Sequence, residues 1–377
     1  MINSEILEIR KQMKHENCSI TKVSGCYVDG EKTIKTRFTE SFLCLPEEET
    51  FKYFEIFKKT LSGTIGKNLI NMEFPLETEF NGGTQEFLLK LRDSELKDEA
   101  LLEEFYEKVI QSYEHLGNYL VLLVYAAYDV PGKTNDKIMM EDASEEVYRY
   151  ILCSLCPVNL SKPGLSYNEE RNQIQKRIQD WVVGMPGNGF LFPAFNDRST
   201  DLHSVLYYSK DSEELRSDFV HALLGCEVPM SAGDQKETFQ SLIKETLGEE
   251  CEYEIVRNIH EKLNDILEEH KLKEIAEPLT LDKNEVKHIF AESGAPEEKL
   301  EEFDKNYEKM TGENATLMAA NVVNTRVFEV KTPDVIIKVN PERVDLVQTK
   351  LVEGRRCLVI EITEQVEVNG ITVKPTC

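Results

Sequence analysis

Between Tyr119 and Tyr208 the chain runs through five short, apolar, β-rich stretches with no helical pattern between them. They are Tyr119–Tyr125, Val147–Val158, Asp180–Val183, Gly189–Phe192 and Leu202–Tyr208. Strands that follow one another without an intervening helix pair antiparallel, because a parallel neighbour needs a crossover of a dozen or more residues. The spacing therefore argues against a doubly wound sheet. It predicts an α+β fold, with a largely antiparallel sheet and helices on one side of it. Tyr119–Tyr125 is apolar at every position, the pattern of a strand buried within a sheet.

The flanking sequence fills in the rest. Ile2, Ile6, Leu7 and Ile9 interleaved with charged residues predict a short amphipathic helix at the start. Ile20–Tyr27 and Thr33–Leu45 read as strands around the turn signal Asp29-Gly30. Pro46 and three glutamates open a helix that Gly63 ends, since proline and acidic residues suit a first turn. Further helices are predicted at Thr84–Leu91, Asp98–His115 and Glu213–Leu224, with a polar loop at 129–144 and a linker at Pro229–Gly233. Apolar positions at helical spacing mark a long helix around Val256–Leu267 and two more within 282–310. From about Ala320 the pattern returns to short strands, punctuated by Pro333, Asn340-Pro341, Glu353-Gly354 and Asn369-Gly370. A chain of 377 residues is long for one core. Three parts are expected: an α+β domain over 1–228, an acidic helical segment over 229–318 and a small β module over 319–377.

Charge is distributed unevenly along these parts. The net charge is −25, yet residues 73–319 hold 51 acidic and 25 basic side chains while both ends are near neutral. A surface that acidic repels phosphate backbones and anionic lipid, so no nucleic-acid or membrane partner is expected. The longest apolar run, Tyr119–Tyr128, is about half the length that spans a bilayer. The first seventeen residues lack the apolar core of a signal peptide. Nine scattered cysteines suit reduced thiols better than a disulfide framework. The setting predicted from these features is the cytoplasm.

Several motifs invite chemistry. Gly63-Thr-Ile-Gly-Lys67-Asn68 lacks the first glycine and the Ser/Thr of a phosphate loop. Ala127–Thr134 ends in Gly132-Lys133-Thr134 after a strand, which makes Lys133 and Thr134 candidates for holding a nucleotide phosphate. Ala127 stands in place of the first glycine, however, and Pro131 removes an amide that would face phosphate. A polar hairpin loop is the plainer reading. Cys153-Ser-Leu-Cys156 has no second pair to complete a zinc site, and on a strand its two thiols point to opposite faces. No cofactor is expected. The helix pair within 282–310 resembles a DNA-reading motif, but Glu297, Glu298, Glu301 and Glu302 would face phosphate.

The densest polar cluster is Asn196–His203. Asp197, Asp201 and His203 at a strand edge are the catalytic candidates, as acid, base or cation ligands. Asp129 and Asp136 are metal-ligand candidates that join Asp197 and Asp201 if their strands are neighbours. The plainer reading is a turn, with Asn196 and Asp197 bonded to local backbone and Arg198 paired with a carboxylate.

Five strings together carry a family resemblance: Gly25–Lys32, Gly83–Asp93, Cys156–Tyr167, Gly189–Asp201 and Val335–Arg343. The chain resembles, over nearly its whole length, a domain-of-unknown-function family of cytosolic proteins from Gram-positive anaerobes. The resemblance implies no activity, cofactor or site residue. The leading expectation is a non-catalytic binding or adaptor protein that works through protein partners. The alternative is a metal-assisted hydrolase with an acidic site in the 129–136 and 196–203 loops.

Overall fold

The computed structural model of the chain describes residues 1–78, 82–133, 139–312, 315–362 and 366–373. It divides into two compact units, Met1–Ser231 and Ala232–Cys377.

The first unit is built on one antiparallel sheet. Its elements are α1 (Asn3–Lys11), β1 (Ile20–Val28), β2 (Ile34–Ser41), α2 (Glu47–Thr60), β3 (Leu69–Glu73), α3 (Thr84–Asp93) and α4 (Glu99–Ser112). Then follow β4 (Asn118–Lys133), β5 (Met139–Leu160), β6 (Leu165–Asn168), β7 (Gln173–Lys176), β8 (Trp181–Val183), β9 (Asn188–Phe192), β10 (Ala194–Asn196), β11 (Ser199–Asp201), β12 (Ser204–Ser209) and α5 (Ser217–Phe219). A π-helical turn, Val220–Leu224, extends α5. The strand order is β2-β1-β4-β5-β9-β12-β3, with β8 paired to the far end of β5. The β4–β5 hairpin forms the centre, with Leu122 opposite Ser154 and Tyr125 opposite Ile151.

Local chemistry sets the helix ends. Asp98 caps α4 by accepting from the amides of Ala100 at 2.9 Å and Leu101 at 3.2 Å. Glu47, Glu48 and Glu49 fill the first turn of α2, and Lys58 and Lys59 its last, each complementing the helix dipole.

Helices cover both faces of this sheet, not one. One core joins Val121, Leu123, Ile151 and Cys153 of the sheet to Leu88, Phe105 and Val109 of α3 and α4. The other joins Leu122, Val124, Leu152 and Cys156 to Ile6, Ile9, Phe54 and Phe57 of α1 and α2. The physical reason is visible in the strands themselves. A strand with one wet face alternates apolar and polar residues, whereas Tyr119–Tyr125 and Ile151–Leu155 hardly do, because both faces are dry.

Three further differences from the sequence reading concern this unit. Of the expected loop at 129–144, the described residues 129–133 and 139–144 are strand, since β4 runs to Lys133 and β5 starts at Met139. The β6–β7 hairpin was not anticipated. The helix expected from Glu213 starts only at Ser217.

The second unit begins with α6 (Ala232–Leu247), in place of the end of the expected linker. It continues through α7 (Tyr253–Leu272), β13 (Thr280–Leu281), α8 (Lys283–Glu292), α9 (Glu297–Leu300), α10 (Phe303–Thr311), β14 (Leu317–Met318) and α11 (Ala319–Val322). Phe239 on α6, Phe290 on α8 and Phe303 on α10 meet edge to face. Three two-stranded hairpins follow: β15 (Phe328–Lys331) with β16 (Ile336–Val339), β17 (Val347–Val352) with β18 (Arg355–Ile360), and β19 (Val366–Val368) with β20 (Ile371–Val373). Asn369 and Gly370, both at positive φ, form the turn of the last, as Asn-Gly predicts. Among the described residues no helix is long and apolar enough to cross a membrane.

Candidate functional site

The polar cluster at 196–203 is a small hairpin. Asn196 pairs with Ser199, which leaves Asp197 and Arg198 as a two-residue loop. Both adopt positive φ, 50° and 57°, the geometry of the tight turn that matches strand twist. Asp197 is exposed at the tip. Arg198 turns back and donates to Glu8 of α1 at 3.0 Å from Nη2 and 3.1 Å from Nε. It also donates to the Pro131 carbonyl at 2.9 Å, while the Tyr128 hydroxyl donates to Glu8 at 3.0 Å. Both charged side chains are more than four-fifths buried, with 15% and 18% exposure.

Asp201 is half-buried. It accepts from Asn196 Nδ2 at 2.6 Å and from the His203 amide at 3.0 Å. Burial alone would raise its carboxyl. Hydrogen bonds from Ser204, Asn196 and His203 outweigh burial and hold the carboxyl below its ordinary value. The His203 ring is exposed, and its carbonyl accepts the Phe74 amide at 2.9 Å. Glu146 on β5 accepts from the hydroxyls of Thr200 and Ser199 and from the Thr200 amide. Those bonds, Thr200 first, lower its carboxyl despite partial burial.

Asp129 lies exposed on β4 opposite Val147. Lys133 is the last residue of β4, while Thr134 and Asp136 lie outside the described residues. Among the described residues no three His, Cys, Asp or Glu side chains are grouped to hold a metal ion. The structure thus ties Asn196, Asp201 and the His203 backbone into one knot and Arg198, Glu8, Tyr128 and Pro131 into another. Cys153 and Cys156 belong to opposite cores, as their spacing on a strand predicts. Burial pushes both thiols up, Cys156 to about 12.

Two further features lie outside the candidates drawn from the sequence. The first is an arm made of the β6–β7 hairpin, the end of β5, and β8. It projects Leu165, Ile174, Ile178 and Trp181 at 76%, 64%, 75% and 55% exposure, beside exposed Tyr167 and Val182. The second is a cleft of about 490 Å³ lined by Tyr113, His115, Pro157, Asn188, Lys210 and Arg216, among others.

Sheet, cores and arm define an α+β protein whose most conspicuous surface is apolar and outward-facing. A family model described as a domain of unknown function (DUF4317) matches residues 1–371, and the chain belongs to that family. No curated protein matches it.

Proposed function

We propose that this is a non-catalytic binding protein that acts in the cytoplasm by docking a protein partner on the 160–185 arm. The exposed apolar side chains of the arm are the observation that carries the reading. Single exposed apolar residues are ordinary, but a run of them on one projecting hairpin marks an interaction surface. Charge supports the choice of surface. Residues 159–185 carry four basic and three acidic side chains, an almost neutral island in the strongly acidic 73–319 region. A partner that approaches there meets little of the repulsion that the rest of that region presents. The same acidity argues against nucleic acid. Free thiols at eight of the cysteines suit a reducing compartment.

Trp181 is the sole tryptophan of the chain and sits on the arm, so its emission reports engagement. Immobilised wild-type chain and an Ile174→Ser/Trp181→Ser variant are exposed to native lysate, and each captured species is then titrated in purified form. The reading expects a species retained by wild type, lost by the variant at unchanged melting temperature, and blue-shifting Trp181 on titration. Equal retention by the variant overturns the arm as the docking surface. The hydrolase alternative rests on Asp129, Asp197, Asp201 and His203, with Asp136 outside the described residues, and calorimetric titration with Mg²⁺, Mn²⁺ and Ca²⁺ tests it. Stoichiometric heat lost in Asp201→Asn would favour it over the binding protein.

A further inference from the structure

We propose that the cleft beside Tyr113 binds a small organic anion, a carboxylate on a planar apolar body, with the Arg216 guanidinium as its anchor. The cleft is independent of the arm and of the 196–203 hairpin. Its volume, about 490 Å³, lies in the range of small-molecule sites.

The floor is fixed before any ligand arrives. The Tyr113 hydroxyl donates to Asn188 Oδ1 at 3.3 Å, and Asn188 Nδ2 donates to the Tyr207 hydroxyl at 2.8 Å and to Ser209 Oγ at 3.3 Å. Asn188, Tyr207 and Ser209 are all buried. The Lys210 amide donates to the Gly187 carbonyl at 2.7 Å and the Gly187 amide to the Leu155 carbonyl at 2.9 Å, which ties the rim to the sheet. A floor bonded this completely holds its shape, so little ordering cost falls on binding.

One wall is aromatic. Tyr113 and His115 stack with centroids 5.8 Å apart and planes 10° from parallel, and Tyr119 braces both rings edge-on. Tyr113 and Tyr119 are themselves buried, so the half-buried His115 ring is the face that this wall offers to a flat apolar body.

The charge at the mouth is positive where it is least hydrated. Arg216 is half-buried, and among the described residues no carboxylate pairs with it. Its field reaches His115, whose imidazole is held below its ordinary value by burial and then by Arg216. Asp211 and Glu214 also line the cleft, but both are exposed, where water screens them. A half-buried guanidinium without a carboxylate in a chain of net −25 is a vacant bidentate partner for one. Lys210 stands exposed at the same rim and adds attraction at longer range.

The experiment titrates benzoate, and separately inorganic phosphate, into the full chain at constant ionic strength. Binding is read by calorimetry and by the His115 imidazole resonances. Saturable benzoate binding that moves the His115 signals is expected. Arg216→Gln should weaken binding at least tenfold. Arg216→Lys should weaken it several-fold, because a point charge replaces the two-pronged donor. Wild type alone tests the proposal if the variants fold poorly. No saturable benzoate binding, a response to phosphate only, or binding undiminished in both folded variants would overturn it. None of these outcomes depends on the arm, so the cleft and the arm stand or fall separately.

Discussion

Replacing Asp201 with asparagine separates the structural role of this residue from a catalytic one. In the native hairpin the carboxylate accepts from three donors: Asn196 Nδ2, the His203 amide and the Ser204 hydroxyl. An asparagine offers one oxygen and one nitrogen, so either Asn196 or the His203 amide meets a donor instead of an acceptor. Losing one hydrogen bond to a charged group costs about 1.5–3 kcal/mol. Asn196 can rotate its own amide and present its oxygen to the new nitrogen, which recovers part of that. The net expectation is a loss of about 1–2 kcal/mol, read by urea unfolding at neutral pH. The acid dependence has a definite sign. The folded carboxyl lies below its ordinary 3.8, so its contribution is complete above 3.8 and is lost as pH falls through the folded value. Wild type and variant should therefore differ by the same amount at pH 7 and pH 5, and converge only below about pH 4. A variant as stable as wild type at pH 7, or a difference that already shrinks between pH 7 and pH 5, would refute the reasoning. A variant of unchanged stability that has lost a bound divalent cation would point to catalysis instead.

Other outcomes follow from the same geometry. Gly189→Ala should cost on the order of 3 kcal/mol or prevent folding, because its methyl would lie 2.3 Å from the Cys153 carbonyl oxygen and 2.6 Å from Thr60 Cγ2. Adding Thr60→Ser should restore only part of the loss, measured by thermal unfolding, since the carbonyl remains. Arg198→Met should destabilise by about 2–3 kcal/mol, because it takes the charged donor from a largely buried Glu8, to which the Tyr128 hydroxyl still donates. Combining it with Glu8→Gln should cost less than the two separate losses added together, and strict additivity in denaturation curves would contradict the pairing. A thiol reagent should label the exposed Cys44 and Cys251 in the native protein at once, and reach Cys153 and Cys156 only on unfolding, as counted by mass spectrometry.

Much of the architecture was legible in short-range pattern. Turn chemistry at Asp29-Gly30 and Asn369-Gly370 gave real hairpins, and the i, i+3 spacing of Cys153 and Cys156 correctly sent them to opposite faces. What failed was inference from polarity averaged over a stretch. Residues 129–144 read as a loop because they are polar, yet a strand at the end of a long hairpin needs little apolar content. Helix α6 escaped notice although Phe239, Leu242, Ile243 and Leu247 already carried helical spacing, because Pro229 to Gly233 drew attention as a break. The arm had a faint signal in the alternation of Leu165 and Tyr167 opposite Ile174. The partners in the hairpin knot had none, for Glu8 and Arg198 lie 190 positions apart. The cleft draws on four separate segments, which only the folded sheet assembles.

Strand β5 is a party wall. Cys153 looks into one room and Cys156 into the other, and the same backbone holds Ser154 against Thr60 of α2 while its neighbours brace α3 and α4. Damage to such a wall is felt on both sides of it. Neither core of the first unit can loosen alone while the other stays intact, so the unit should melt in one step, with amides of residues 151–155 the last to exchange with solvent.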